Sequence, residues 1–304
     1  MSLTIASVNV NGIRAATKVR NDDNLGMLEW LKHTPADVVL MQEVRASGPQ
    51  AVEALQPALD NGWHLVVAPA ETPGAKGRAG VGILSREPLA DVEIGIPDFE
   101  DAGRFIAGSL IDGTRVASLY LPSGSAGTAK QDEKYAFLDR FEAALEQWAG
   151  EYPRMVIGGD WNICHRRDDL KNWRTNRTKS GFLPDERAFM DAVFGAFPDA
   201  EPEDLEAKQQ FAWAGAVEYG SERRREATAE PKWFDVARRL QPEETAYTWW
   251  TFRGQAFNND AGWRIDYQAA TAEMLERAQR SWVEKAPTVE QRWSDHSPLM
   301  VEYS

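Results

Sequence analysis

Residues 105–121 read FIAGSLIDGTRVASLYL, which is two apolar runs on either side of Asp112-Gly113. Aspartate and glycine both tolerate the positive φ that a tight turn between antiparallel strands needs. The stretch therefore predicts a β-hairpin formed by residues 105–111 and 115–121. Because the pair is antiparallel, the fold is not a purely doubly wound parallel sheet.

Outside this hairpin, short apolar runs alternate with amphipathic stretches, a pattern typical of mixed α/β proteins. Residues 155–157 predict a buried strand that breaks off at Gly158-Gly159-Asp160. In residues 7–11 valines alternate with serine and asparagine, which predicts a strand with one buried face. The core face of a long helix is marked by Leu138, Phe141, Leu145 and Trp148.

The domain organisation is less directly encoded, since 304 residues could form two ordinary domains or one large one. From about residue 198 to 232 the apolar period is lost, and Arg223-Arg224-Arg225 lies in this stretch. We interpret it as a surface insertion, because no internal repeat or low-complexity linker separates two halves. The sequence thus predicts one domain over residues 1–304.

Composition restricts the classes of function. The single cysteine, Cys164, excludes an intramolecular disulfide and a thiolate zinc site. No stretch approaches the roughly 20 apolar residues that span a bilayer, so we expect a soluble, intracellular chain without a membrane partner. The net charge of −13 argues weakly against nucleic acid. A binder of polyanions with this charge must concentrate its cations on one face.

Polar side chains follow several of the apolar runs, where loops and active sites begin in α/β proteins. Oxygen ligands suit Mg²⁺, while Asp, Asn and His can orient an attacking water and stabilise a phosphoryl transition state. Each residue taken alone could have a purely structural role, as a helix cap, a solvated strand edge or one member of a hydrogen-bonded pair. The set comprises Asn9, Glu43, Tyr120, Asp160, Asn162, Asp266, Asp295 and His296.

Seven ordered blocks carry these residues, and together they are far more specific than any one motif. They are Ser7-Val8-Asn9-Val10-Asn11-Gly12-Ile13-Arg14, Leu40-Met41-Gln42-Glu43, Ser118-Leu119-Tyr120-Leu121-Pro122, Gly159-Asp160-Trp161-Asn162-Ile163, Asp169-Leu170-Lys171-Asn172-Trp173, Gly262-Trp263-Arg264-Ile265-Asp266 and Ser294-Asp295-His296. In this order the chain resembles the exonuclease III family of the endonuclease/exonuclease/phosphatase superfamily. The resemblance implies a four-layered α/β sandwich, in which two facing mixed, largely antiparallel sheets are flanked by helices.

The resemblance also implies a metal site and a catalytic group. Glu43 would be the principal ligand of Mg²⁺, for which Mn²⁺ is a plausible substitute. Asn9 would lie beside Glu43, and Asp295 would be a further ligand or a support for the site.

In the implied catalytic group, Asp160 orients or deprotonates the attacking water, with Asn162 as its hydrogen-bonding partner. His296 contacts the scissile phosphate, and Asp266 fixes the tautomer and charge of that histidine. Tyr120 lies near the phosphate and the leaving oxygen.

A basic stretch follows the Asp160 block, and no acidic residue occurs between Leu170 and Pro184. Cations beside amides and an aromatic suit phosphate contacts that do not read sequence. A solvated loop is the alternative, and the position of the stretch, which is as in the family, favours DNA. A second contact is predicted at Arg78, where a plain turn is the alternative. The residues of the basic stretch are Lys171, Asn172, Trp173, Arg174, Asn176, Arg177 and Lys179.

Substrate choice is suggested by Trp249, Trp263 and Ile265, which resemble the apolar pocket that receives a flipped-out abasic sugar. Trp250 is expected in the core. Ser123 departs from the family, whose members commonly carry a larger amide residue there, so one phosphate contact is expected to be missing.

The sequence thus predicts a Mg²⁺-dependent phosphodiesterase that incises duplex DNA 5′ to abasic sites, leaving a 3′-hydroxyl. Its partner would be double-stranded DNA with abasic sites or damaged 3′ ends, on which it also acts as a 3′→5′ exonuclease. We expect a cytoplasmic monomer, associated with the nucleoid if the chain is prokaryotic. One alternative is a superfamily enzyme for a non-DNA phosphoester, which would not need the tryptophan pocket or the basic stretch. The other is an inactive binding module, although no catalytic side chain is missing.

Overall fold

The computed structural model describes residues 2–72, 77–196, 225–243 and 246–304, and in them two six-stranded sheets lie face to face. The first sheet contains, in spatial order, β11 (Ala278–Val283), β12 (Leu299–Tyr303), β1 (Leu3–Asn9), β2 (Val38–Gln42), β4 (Val81–Ser85) and β3 (His64–Ala68). The second contains β5 (Ala90–Ile94), β6 (Phe105–Ser109), β7 (Arg115–Tyr120), β8 (Met155–Asp160), β10 (Asp266–Ala270) and β9 (Phe234–Asp235).

Strand pairing in both sheets is mixed and largely antiparallel. Only β1–β2 and β7–β8 are parallel among the described pairs. The hairpin predicted from residues 105–121 is confirmed, because β6 and β7 pair in antiparallel register from Phe105 with Leu119 to Ser109 with Arg115.

Helices cover the outer faces of both sheets and complete four layers, as predicted. One apolar core lies between the sheets, and one lies between each sheet and its helices. The helices are α1 (Ile13–Ala16), α2 (Met27–His33) and α3 (Gly48–Leu59) on the first sheet, α4 (Ala129–Glu151) and α6 (Pro184–Phe194) on the second, and the shorter α5 (Trp173–Asn176), α7 (Val236–Leu240) and α8 (Ala272–Arg277). The predicted core face of the long helix is confirmed in α4.

Strand β1 corrects one expectation. Ile5 faces the core between the sheets while Ala6 and Val8 face the helices, so the alternation is as expected. However, Ser7 and Asn9 are also fully buried, because the second sheet covers their face. The prediction of a strand with one buried face was therefore wrong.

Strand β8 also differs from the prediction, because it does not end at its glycines. It continues through Asp160, which pairs with Tyr120 on one side and Asp266 on the other. A Cβ added at Gly158 would lie 2.5 Å from Leu40 Cδ1 of the opposite sheet. The glycine is therefore needed for close approach of the two sheets, not for a turn.

The predicted insertion at about 198–232 lies mostly outside the described residues, and so do Arg223 and Arg224. Arg225 is described, and its guanidinium is buried in ion pairs with Asp139 and Glu142 of α4. It is therefore neither solvated nor placed to contact DNA. A single domain over the whole chain stays a prediction. None of the described helices is both long enough and apolar enough to cross a membrane.

Candidate active site

One row of side chains on the second sheet forms the base of the site. Tyr120, Asp160 and Asp266 are direct neighbours across β7, β8 and β10. They share one level of the sheet and face the first sheet. There β1 ends at Asn9, and Glu43 follows β2 directly. This arrangement explains why polar residues from several strand ends can meet although they are far apart in sequence.

Asn9 links the carboxylates of the two sheets. Its Nδ2 donates to Glu43 Oε1 at 3.0 Å and to Asp160 Oδ2 at 2.9 Å. The backbone of Asn9 is held in turn by Ser294, whose hydroxyl donates to the Asn9 carbonyl at 2.6 Å. Asn9 is fully buried, so the amide has little freedom to move.

His296 lies in the loop before β12 and joins this group. Its Nδ1 donates to Asp266 Oδ2 at 2.8 Å, while its Nε2 lies 3.8 Å from Asp160 Oδ2. Burial alone would lower the pKa of His296, but the Asp266 carboxylate and its hydrogen bond raise that pKa to about 10. The imidazole is therefore a buried cation at neutral pH. We call Asn9, Glu43, Asp160, Asp266 and His296 the strand-end cluster.

Burial and neighbouring charge shift the pKa of Asp160 in opposite directions. Burial raises the pKa of its carboxyl most strongly, the His296 cation lowers it, and the net result is a pKa of about 7. A carboxyl that titrates near neutral pH is well matched to accepting a proton from water. Burial, followed by the charges of Glu43 and Asp160, raises the pKa of Tyr120 well above its ordinary value. The phenol therefore stays protonated.

The oxygen donors of Glu43 and Asn9 fit a hard divalent cation. The Glu43 side chain is 12% exposed, and its second carboxylate oxygen is paired with Arg45. Asp160, Asp266 and His296 also offer three ligand atoms within 4.8 Å of one another. A cation in that buried group would have to displace the proton on His296 Nε2, which faces Asp160. The Glu43 side therefore fits a cation better.

Two predicted site residues support the cluster from its edges. Asp295 accepts from Asn11 Nδ2 at 2.8 Å and from the Trp249 indole at 3.0 Å, so both its oxygens are engaged. Asn162 holds Asp160 through its backbone N–H, which donates to Asp160 Oδ1 at 2.9 Å. Its side-chain amide donates instead to the Leu121 carbonyl at 2.8 Å.

The predicted pocket residues lie together beside the strand-end cluster. The rings of Trp249 and Trp263 meet edge to face with centroids 6.0 Å apart, and Trp249 lies 6.4 Å from the ring of His296. Ile265 is buried in the same apolar group. Both indoles remain half-exposed. Trp250 is buried, as predicted for a core residue.

The basic stretch, which we call the basic loop (residues 171–179), begins at the pocket, because Leu170 pairs with Trp263. Lys171, Asn172, Arg174, Arg177 and Lys179 are exposed there. Trp173 is half-buried, with the guanidinium of Arg174 4.5 Å from the centre of its ring. The amide of Asn176 donates to the Asn172 carbonyl at 2.8 Å, so it stabilises the loop itself.

Arg78 is exposed and lines a cavity of about 740 Å³ on the Tyr120 side of the site. Four cationic and four acidic side chains line this cavity, so its charge is mixed. They are Arg45, Arg78, Arg104 and Lys130, and Asp98, Glu100, Asp101 and Glu133.

Sequence reasoning missed several residues of the site. Arg104 lies with its guanidinium 5.0 Å from the centre of the Tyr120 ring, and no sequence motif joins the two. Arg45 and Asn11 were within reach, since each lies two residues after a predicted site residue. A structural sign marks this region: four of the seven described non-glycine residues with positive φ are Asn11, Glu43, Arg45 and Asn162. Such backbone strain clusters at functional sites.

Comparisons with known proteins match nearly the whole chain. The sequence profile described as the endonuclease/exonuclease/phosphatase family matches residues 6–296. An exodeoxyribonuclease of Bacillus subtilis is 26% identical over 301 residues, 98% of this chain and 98% of its own length. The DNA repair nuclease APEX1 of Danio rerio is 28% identical over 277 residues, 90% of this chain and 74% of its own. An AP endonuclease structure from Archaeoglobus fulgidus superimposes with a TM-score of 0.75 at 26% identity, covering 99% of each chain.

Proposed function

The chain belongs to the endonuclease/exonuclease/phosphatase family, and on that premise we propose that it is a Mg²⁺-dependent DNA repair phosphodiesterase. It incises duplex DNA 5′ to abasic sites, leaves a 3′-hydroxyl, and also trims 3′ ends. The observation that carries this proposal is the place of Asp160. It lies between the His296 cation and the Asn9–Glu43 pair, and His296 lies in turn beside Trp249 of the pocket.

Asp160 is the group that orients the attacking water and accepts its proton. The Asn162 N–H holds Asp160 Oδ1, which leaves Oδ2 directed towards Asn9 and His296. The water oxygen bonds to phosphorus as the bond from phosphorus to the 3′-oxygen breaks. Protonation of that oxygen gives the 3′-hydroxyl, and the phosphate stays on the abasic sugar.

His296 and Tyr120 stabilise charge during this step. The buried imidazolium, held by Asp266, faces the non-bridging oxygens of the phosphate. The protonated phenol of Tyr120 is hydrogen-bonded to Glu43, and it is the donor that we assign to the leaving oxygen. Both groups are in place before substrate arrives, so little reorganisation is needed during reaction.

Glu43 and Asn9 are the residues we assign to the metal, with Asp295 supporting the site through Asn11 and Trp249. Bound Mg²⁺ would supply charge neutralisation at the phosphate and polarise it for attack. Arg45, which pairs with Glu43, is the cation that a metal must compete with.

Substrate choice follows from the pocket and the loop. A pocket walled by Trp249, Trp263 and Ile265 accepts a sugar without a base and rejects an intact nucleotide by size. The exposed cations of the basic loop and Arg78 bind backbone phosphates without reading sequence. The monomeric state and a cytoplasmic location stay predictions.

The test is cleavage of an end-labelled duplex that carries one abasic-site analogue, with Mg²⁺ and with chelator. An undamaged duplex of the same sequence is assayed in parallel, and the Asp160→Asn variant controls for contaminating nucleases. Metal-dependent incision 5′ to the lesion, absent from the variant, is the expected result.

Two other outcomes point elsewhere. If neither duplex is cut while a non-DNA phosphoester is hydrolysed with Mg²⁺, the chain is a different enzyme of the superfamily. If DNA is bound equally well in chelator and is never cut, the chain is a binding module.

A further inference from the structure

A buried ion pair lies beneath the candidate active site and is not explained by the chemistry described above. Lys134 of α4 and Glu186 of α6 are both fully buried, and Lys134 Nζ lies 2.7 Å from Glu186 Oε1. Lys134 precedes Leu138 by one helical turn, so it occupies the core-facing side of α4. Buried charges are costly unless they are paired and hydrogen-bonded, so this pair needs a reason.

Lys134 reaches two loops of the site. Its ammonium donates to the Asn162 carbonyl at 3.0 Å and to the Ser123 carbonyl at 3.4 Å. The first contact holds the loop that follows Asp160, and the second holds the loop that follows Tyr120. One side chain therefore fixes the two loops that emerge from neighbouring strands β7 and β8.

Glu186 reaches the other side of the site. Its Oε2 accepts from the N–H groups of Gly181 at 2.7 Å and Leu183 at 3.0 Å. Its Oε1 also accepts from Gln131 at 2.9 Å and Ser180 at 3.1 Å. Glu186 thus anchors the segment that leaves the basic loop.

Gly181 is the point where the two sides meet. Its φ is +92°, and an added Cβ would lie 2.9 Å from Trp263 Cζ3 and 3.3 Å from the Asn162 carbonyl oxygen. Glycine is required here both for the backbone conformation and for the close approach to the indole. The Glu186 hydrogen bond therefore sets how closely this backbone packs against the Trp263 wall of the pocket.

We propose that Lys134 and Glu186 are positioning residues that couple the catalytic loop to the abasic-sugar pocket. Lys134 positions the loops of Asp160 and Tyr120, and Glu186 positions Gly181 against Trp263. This inference rests on the proposed function. A simpler role exists for Glu186, since it is the third residue of α6 and caps its N-terminus at Leu183. Helix capping does not account for the bonds from Lys134 to Asn162 and Ser123.

Two double variants separate the two sides. In Lys134→Met/Glu186→Gln the amide oxygen can still accept from Gly181 and Leu183, no charge is left buried, and the donor to Asn162 is lost. We expect kcat on abasic duplex to fall about 10–100-fold, with KM and the preference for abasic over undamaged duplex within about threefold of wild type. Lys134→Met/Glu186→Met removes the Lys134 donor to Asn162 and also the Glu186 acceptor for Gly181 and Leu183. In this variant we expect the preference for abasic over undamaged duplex to fall as well, by about tenfold.

The matched control is Arg115→Met, because Arg115 is also buried and ion-paired, with Glu93. It lies at the opposite end of β7 from Tyr120. The control should lower Tm while kcat per folded molecule stays within about twofold of wild type, since a loss of stability alone does not misplace the catalytic loop.

The proposal is overturned if both double variants, folded at the assay temperature, keep wild-type kcat, KM and abasic preference. Should they not fold, Ser180→Ala provides the same test, because the half-buried Ser180 hydroxyl lies within hydrogen-bonding distance of both Glu186 Oε1 and the Ser123 carbonyl oxygen and can donate to either. About a threefold loss of kcat is then expected, and no loss overturns the proposal. Absence of incision by the wild-type protein would instead reject the proposed function.

Discussion

The strand-end cluster and the basic loop are adjacent in space and opposite in construction. The cluster is almost entirely buried, and its side chains are fixed by one another: Asn9 bonds Glu43 and Asp160, and Asp266 bonds His296. The basic loop carries exposed cations, and its internal bonds, such as that of Asn176, stabilise the loop only. Charges that must act on one atom are buried and rigid, whereas charges that must follow a flexible polyanion are exposed.

This contrast has a physical reason. Electrostatic stabilisation of a transition state is strongest where water is excluded and donors are already in position. Phosphate contacts along DNA are screened by salt and shared among many side chains, so no single one has to be precise. Substitutions in the cluster should therefore alter turnover, and substitutions in the loop should alter binding.

The largest effect is expected for Asp160→Asn, which removes the proton acceptor and changes little else. Turnover on abasic duplex should fall about 10²–10⁴-fold, the usual contribution of a general base. The Kd for the same duplex, measured by gel shift, should stay within about threefold of wild type. Wild-type turnover in this variant would show that Asp160 is not the proton acceptor. The expectation that substitutions in the cluster alter turnover would then be wrong.

A smaller effect is expected for Trp263→Ala, at the boundary between the two regions. Loss of one wall of the pocket should lower the preference for abasic over undamaged duplex about tenfold, because a size-selective apolar pocket discriminates by about 1–3 kcal/mol. The measurement compares kcat/KM on the two duplexes. An unchanged ratio would mean that the Trp249–Trp263 pair is core, and that the selection occurs elsewhere.

A still smaller effect is expected for Lys171→Met in the basic loop. DNA affinity should weaken about two- to fivefold with kcat unchanged, and the dependence of log K on log salt should become shallower by about 0.9. Lys32→Met is the control, because Lys32 is an exposed cation on α2, paired with Glu29. If both variants shift the salt dependence equally, the loop has no special part in binding.

The cluster and the basic loop should also differ in how substitutions in them change thermal stability with pH. The pKa of Asp160 is raised from 3.8 to about 7, mainly by burial, so the folded chain holds this proton more tightly than the unfolded chain. The resulting stabilisation is fully present below about pH 3.8 and is lost progressively as pH rises from there to about 7. In chelator at pH 8, Asp160→Asn should therefore raise Tm, by about 2–4 °C for each kcal/mol recovered.

At pH 5 the rise in Tm should be clearly smaller, because Asp160 is then still protonated in the folded chain and only the unfolded chain, with its ordinary pKa of 3.8, is ionised there. Lys171→Met, in the exposed loop, should leave Tm unchanged at both pH values. A lower Tm for Asp160→Asn at pH 8 would show that the ionised carboxylate stabilises the fold.

Local features of the sequence were predicted well, because each depends on neighbouring residues only. The hairpin around Asp112-Gly113 follows from the φ preferences of two residues, and the core face of α4 follows from helical spacing. The candidate site could be assembled only through the resemblance of seven blocks. Alternation within β1 indicated one buried face, since a strand's own pattern contains nothing about a second sheet above it.

Other parts of the site had no local signal. Lys134 and Glu186 are joined by a contact between two helices, and Arg104 meets Tyr120 across strands. Gly158 looked like the end of a strand, because glycine punctuates turns more often than it permits two sheets to approach.

The sequence by itself determined which residue types stand at the ends of the strands, and hence the chemistry that the chain can perform. It also determined the hairpin, the helical faces and the family resemblance. Only the tertiary structure decided that Asn9 lies against Asp160, 151 residues later, and that His296 is held as a cation by Asp266. The physical reason is that pKa values and hydrogen bonds depend on burial and distance, and both arise from pairing between sheets that no local pattern encodes.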